Sequence, residues 1–362
     1  MNEDRRKQIK HMVLATLNTV ENLTLPLEIK KLVKLNKRCR LIRYSKYMKR
    51  HGLEYNEMLE FGGTDDAFTD YLVPEDKYII FYNDLDEKKM NSFRYRWNIA
   101  HELGHVVLEH HKNNNKTRLF RNTLSKNEYA ELEEEADQFA AYLLVPYAVL
   151  EHYSIDSGTS LGKICKISGQ ASQYRFNEYI KWKANNFRLD QYDFYIRKLF
   201  YRSIYQKYCN NCGHYFIHET ATCCPVCGGR FLERKYSDMI YNDLIQINKK
   251  GQAQSCPKCG NENIHSDSSY CHICGAYVIQ KCLGEIEPFD NVNLKEQEGC
   301  GCNDIPGNAR YCPKCSSITS FYFQSFLSSW EDEINMINEL TAIENETSIE
   351  QTNFDDDDDI PF

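Results

Sequence analysis

No run of about 18 apolar residues occurs anywhere in this 362-residue chain, so none of its segments is built to cross a membrane as a helix. The first ten residues are mostly charged and lack an apolar core, so no secretory signal is expected. Lysine and arginine are missing from the last 47 residues, which carry 12 carboxylates. That absence changes the meaning of the formal net charge of −8. Residues 1–315 hold 44 basic and 40 acidic residues, a net of +4, so the acidity belongs to a tail. An acidic total ordinarily argues against a nucleic-acid binder, but here it describes no single surface.

Cysteine, by contrast, is abundant. Fourteen of the 16 cysteines fall between Cys209 and Cys315, mostly as C-x-x-C pairs. With no sign of export, a reducing cytoplasmic location is expected, and the pattern reads as zinc sites and not disulfides. The length predicts two or three domains. Apolar spacing predicts helices over 5–17, 27–35, 96–110 and 128–144, the last ended by Pro146. Residues 39–44 and 77–82 read as strands, 160–185 as a helical appendix, and 321–346 as one helix. The first 50 residues carry 14 basic and 4 acidic residues, read here as a solvated face.

His101-Glu102-Leu103-Gly104-His105 is an H-E-x-x-H motif inside an apolar helical run. Side chains at i and i+4 share a helix face, so both imidazoles can meet one zinc ion, while Glu102 beside them takes a proton from water without being a ligand. A third ligand is sought on the acidic helix 128–144. At about 100° per residue, Glu133 lies about 60° from the centre of the apolar face, Glu135 about 100° and Glu134 about 160°. Glu133 is therefore the candidate ligand, and Asp137, one turn on, a hydrogen-bond partner for a ligating histidine. Glu131, Glu134 and Glu135 read as solvated. Tyr95, His110, His111 and Tyr142 lie near in sequence, but none is assigned to stabilise an oxyanion.

R-Y-R-W-N-I-A-H-E-L-G-H at 94–105, followed by E-E-E-A-D-Q-F-A-A-Y-L-L-V-P at 133–146, resembles the ImmA/IrrE family of metallo-endopeptidases, over residues 10–190. The resemblance implies a single-zinc, gluzincin-like protease of bacteria and their mobile elements that cuts a transcriptional repressor. It also implies Glu133 as third ligand, in agreement with the helical phase. Some members carry an N-terminal helix-turn-helix; this chain shows no clear one.

Cys209, Cys212, Cys224 and Cys227 form one Cys₄ set, and Cys256, Cys259, Cys271 and Cys274 another, each with eleven residues between its pairs. Such spacing is a strong signal for zinc ribbons. A third set is expected from Cys300, Cys302, Cys312 and Cys315, with Cys282 as an alternative to Cys300. Cys39, Cys165, Cys223 and Cys282 are otherwise ordinary thiols. Residues 205–320 carry 11 basic and 12 acidic residues, which favours protein docking over phosphate binding and leaves direct nucleic-acid contact open. The chain ends in FDDDDDIPF, which resembles the C-terminal tip of bacterial single-stranded DNA-binding protein (SSB). That resemblance implies docking of Asp357, Asp358, Asp359, Ile360, Pro361 and Phe362 onto replication and repair proteins.

The expected architecture is α+β: a zincin-like metallopeptidase domain over 1–204 and tandem Cys₄ zinc ribbons in 205–320, spanning 209–227, 256–274 and 300–315. A helix and linker follow over 321–353, then a flexible acidic tip at 354–362. The expected cofactor is Zn²⁺, one catalytic and two to three structural. The expected partner is a protein substrate, without a membrane. The other function considered is a non-catalytic adaptor that mimics SSB through its tip.

Overall fold

A computed structural model of the chain describes residues 1–114, 116–119, 125–185, 190–237, 245–286, 292–333 and 335. The chain divides into two compact units, Met1–Ile204 and Tyr205–Phe362. The SSB-like tip, the polar linker before it and residues 334 and 336–346 of the expected helix 321–346 lie outside the described residues.

The first unit is a mixed α and β structure. It begins with α1 (Glu3–Leu17), α2 (Ile29–Leu35), β1 (Cys39–Arg43), α3 (Tyr44–His51) and α4 (Tyr55–Gly62). A hairpin of β2 (Ala67–Leu72) and β3 (Lys77–Tyr82) leads through α5 (Glu87–Asn91) to α6 (Arg94–Val107), α7 (His110–Asn113) and α8 (Lys126–Leu144). The short α9 (Tyr147–Leu150) precedes α10 (Gly158–Cys165), α11 (Gly169–Asn185), α12 (Gln191–Leu199) and α13 (Tyr201–Tyr205). The sheet order is β1-β3-β2, with β1 parallel and β2 antiparallel to β3.

Alternation along β2 divides its work between two faces. Phe68 packs with Tyr44, Met58 and Phe81 in one apolar cluster. Thr69, its neighbour, points the other way and meets α6. Beneath that face α6 and α8 pack through Ile99, Ala100, Leu103, Ala136, Phe139 and Ala140, all buried. Gly104 makes the approach close: a Cβ there would lie 3.2 Å from the Cα and carbonyl oxygen of Ala136 and from Cβ of Phe139. The start of α8 is secured by a capping box, in which Ser125 Oγ accepts from the Glu128 N–H and Glu128 accepts from the Ser125 N–H.

The second unit is built on small metal-ligand clusters and little regular structure. Its described strands, β4 (Gln206–Cys209), β5 (Tyr215–Ile217) and β6 (Leu232–Glu233), form an antiparallel sheet in the order β5-β4-β6. The expected long helix at 321–346 does not hold over its first residues. A short α14 (Ser320–Phe323) is followed by Ser325 at φ 58°, a left-handed residue that breaks a helix. Phe321 and Leu327 are instead buried with Val278 and Ala253 around the second cysteine set.

Candidate metal centres and active site

α6 and α8 bring His101, His105 and Glu133 together, with one ligand atom from each within 4.8 Å of the others. The two Nε2 atoms are 3.1 Å apart, and each lies 3.4 Å from a Glu133 oxygen. A tetrahedral zinc with bonds of ~2.0–2.1 Å holds its ligand atoms about 3.3 Å apart, so the donor set fits that ion. Asp137 takes the expected place, its Oδ1 3.0 Å from His101 Nδ1.

The side chains of the cluster shift one another's protonation. Burial works against charge on His101, but hydrogen bonds to Asp137 and Glu133 and the nearby Glu102 outweigh it and raise the imidazole to about 10. At His105 burial prevails and pushes the ring down to about 3 despite its hydrogen bond to Glu133. The Glu133 carboxyl, although half-buried, is held far below the ordinary carboxylate range by both imidazoles. Glu102 is half-buried, and desolvation pushes its carboxyl up, while His101 and the hydrogen bond from Thr69 pull it back. Thr69 Oγ1 donates to Glu102 Oε2 at 2.7 Å. The pair is fixed beside the donor set through Oε2.

These groups line one cleft of about 630 Å³, together with Trp97, Asn98, His111, Arg118 and Tyr129. Arg118 reaches it on a bidentate pairing with Asp70 and a contact with the Phe61 carbonyl. Tyr129 escapes a motif search, although it precedes Glu133 by one helical turn and so shares its face. Arg118 carries no sequence signal, because only the fold brings it to β2. Tyr95 and Tyr142 lie elsewhere: Tyr95 stacks on Tyr82, and Tyr142 packs by Tyr192. The solvated reading of Glu135 is corrected. Its side chain is 15% exposed and is held by Arg5 and His110.

In this first unit, residues 50–176 match a family model. The model is that of the IrrE N-terminal-like domain, Peptidase_M78. The matched residues contain all three candidate ligands, and the match supports a metallopeptidase function. A comparison with curated proteins gives no match. Among the described residues, no helix is long and apolar enough to cross a membrane.

In the second unit three cysteine tetrads are assembled. Cys209–Cys227 and Cys212–Cys224 have sulfurs 3.7 Å apart. Cys256–Cys274 and Cys259–Cys271 are 3.5 and 3.7 Å apart. Zn–S bonds of ~2.3 Å place tetrahedral sulfurs about 3.8 Å apart, so both sets fit zinc. The third set differs from the expectation. It comprises Cys282, Cys300, Cys312 and Cys315, with sulfur separations of 3.5 Å for Cys282–Cys315 and Cys300–Cys312. Cys282 replaces Cys302, and Cys300 stays. The signal was present in the spacing. In all three sets eleven residues separate the second ligand from the third, which marks Cys300 as a second ligand and requires a first one upstream.

The knuckle turns show why the tetrads form. Gly213, Gly228, Gly260 and Gly275 have φ between 71° and 76° and donate their N–H to Cys209, Cys224, Cys256 and Cys271. Ser316 takes the same place after Cys315, at φ 71°, bonding back to the Cys312 carbonyl. Of the remaining cysteines, Cys39 and Cys165 are thiols pushed up to about 12 by burial, which leaves them inert.

Proposed function

We propose that the first unit is a zinc-dependent, zincin-type endopeptidase that hydrolyses a peptide bond in a regulatory protein, a transcriptional repressor of a mobile element or stress response. The observation that carries this reading is the convergence of His101 Nε2, His105 Nε2 and the Glu133 carboxylate beside the half-buried, hydrogen-bonded Glu102. A zinc ion held there supplies Lewis acidity, which polarises a carbonyl and makes water acidic enough to lose a proton near neutral pH. Glu102 does the proton work. Oε2 is occupied by Thr69, so Oε1 accepts the proton of the attacking water and then delivers it to the leaving amine. Asp137 orients His101 through Nδ1. The cleft walls at Trp97 and Tyr129 supply surface for an extended peptide.

The cysteine tetrads serve as structural zinc sites and, with the SSB-like tip, direct the peptidase to its target. The tip's acidic run and terminal Ile360-Pro361-Phe362 suit a basic-rimmed apolar pocket on a genome-maintenance protein. An adaptor without catalysis has no need of the intact His101, Glu102, His105 and Glu133 set, which favours the enzyme.

Glu102→Gln tests the proposal. The variant is expected to keep four zinc ions per chain while peptide cleavage falls about 100- to 10,000-fold. Zinc content is read by atomic emission and cleavage against proteins that co-purify with the variant. Undiminished cleavage by the variant excludes the mechanism.

A further inference from the structure

We infer that His110 is a positioning residue for the metal site, the centre of a relay that runs from His105 through Glu135 to Arg5 of the N-terminal helix. The inference rests on reading His101, His105 and Glu133 as zinc ligands.

The two ligating imidazoles are supported differently. Both turn Nε2 inward and Nδ1 outward. His101 Nδ1 meets the Asp137 carboxylate, an ordinary support for a metal-bound histidine. His105 Nδ1 meets another imidazole, with His110 Nδ1 2.9 Å away. Only one proton fits between two ring nitrogens at that distance, and the metal decides its owner. A neutral His105 that offers the Nε2 lone pair carries its proton on Nδ1 and donates it, so His110 Nδ1 accepts. His110 then carries its own proton on Nε2, which lies 2.9 Å from Glu135 Oε2. Both Glu135 oxygens are taken by Arg5, at 2.7 Å from Nε and 2.6 Å from Nη2. Every proton in the chain has one place, and the outer charges cancel.

The fold has been arranged to make this contact. Glu109, at φ 56°, turns the chain sharply between α6 and α7 and returns His110 beneath His105. His110 is 1% exposed. Arg5 comes from α1, outside residues 50–176. The outer anchor of the metal ligand is therefore supplied by a helix beyond the matched domain, so docking of α1 and retention of metal are linked.

The test uses full-length protein and reads zinc binding directly. A competing chelator of known affinity removes zinc from the histidine–carboxylate site, and a mercurial reagent afterwards releases the thiolate-bound ions. His110→Leu is expected to weaken the chelator-accessible site about 10- to 100-fold, with mercurial-released zinc unchanged. His110→Asn, whose Oδ1 takes the position of Nδ1 and accepts the same hydrogen bond, is expected to retain most of the affinity. Arg5→Met should weaken the site in the same direction by less. Wild-type affinity in His110→Leu overturns the inference. So does an equal loss in the Leu and Asn variants, which would assign His110 to packing alone. His105→Ala separates the two levels of the reading: if it leaves the chelator-accessible zinc in place, the zinc site itself is misassigned.

Discussion

At the scale of single residues, the protein is organised by who holds each proton and each lone pair. In the proposed mechanism Glu102 is useful because Thr69 occupies one of its oxygens and desolvation raises its affinity for a proton. Thr69→Val keeps the shape and removes the donor. It is expected to slow cleavage about tenfold or more while zinc content stays at the wild-type level, measured in parallel on the same samples. The cysteines obey the same accounting. Cys282→Ser is expected to cost one zinc ion per chain, and Cys302→Ser none, by metal analysis of the purified variants. Loss of zinc in the Cys302 variant and its retention in the Cys282 variant would reverse the assignment of the third tetrad.

At the scale of elements, the candidate active site is a consequence of one helix pair and one edge strand. α6 and α8 approach closely enough for three candidate ligands to converge because residue 104, between the two histidines, has no side chain. The atoms a larger residue would meet there are backbone and Cβ of α8, which cannot swing aside. Gly104→Leu is therefore expected to lower stability by about 1–3 kcal/mol and to weaken zinc binding together with it, read by urea unfolding and chelator competition. The start of α6 is tied to the β2 loop through Asp66, which accepts from Arg94 at 2.7 Å, Lys89 at 2.9 Å and Asn98 at 3.0 Å. Burial alone would raise the Asp66 carboxyl, but the Lys89 and Arg94 cations hold it below its ordinary value. The sign follows from linkage. The contribution is complete above the unfolded value of about 3.9 and is lost as pH falls through the lower, folded value. Asp66→Asn should flatten the acid limb of the stability curve below about pH 4. A limb as steep as that of the wild type would remove this residue from the account.

At the scale of the whole chain, the metal sites proposed for the two units serve different ends. In the first, a large apolar core exists without the metal, with α6, α8 and the sheet buried around it, so zinc removal there is expected to abolish cleavage and leave the helical signal intact. In the second, apolar clusters are small and centred on the cysteines themselves, as with Phe216 and Val226 or Ile305 and Ala309. Stripping zinc from that unit is expected to unfold it, because the thiolate–zinc bonds stand in for a core. Circular dichroism during stepwise removal, first with chelator and then with mercurial, separates the two. The docking role proposed for the acidic end is tested at this scale as well. Deleting Ile360–Phe362 should abolish capture of a protein that binds the SSB tip and leave peptidase activity on a short peptide unchanged.

Much of the site was legible in the chain because its residues are local. His101, Glu102 and His105 share one helical turn and a half, and the phase of an apolar face selects Glu133 from four neighbouring glutamates. The first two cysteine tetrads are legible for the same reason, since each knuckle is a short turn closed by glycine. What required the tertiary structure is whatever arrives from a distance. Thr69 comes from a strand, Arg5 from a helix 130 residues away from Glu135, and Cys282 from across a long insertion before Cys300. Helical periodicity reports only which face of an element is apolar. It therefore places Glu135 at the margin of that face and cannot reveal that Arg5 and His110 close over it. Local spacing determined the ligands; the packing of separate elements determined which groups support them.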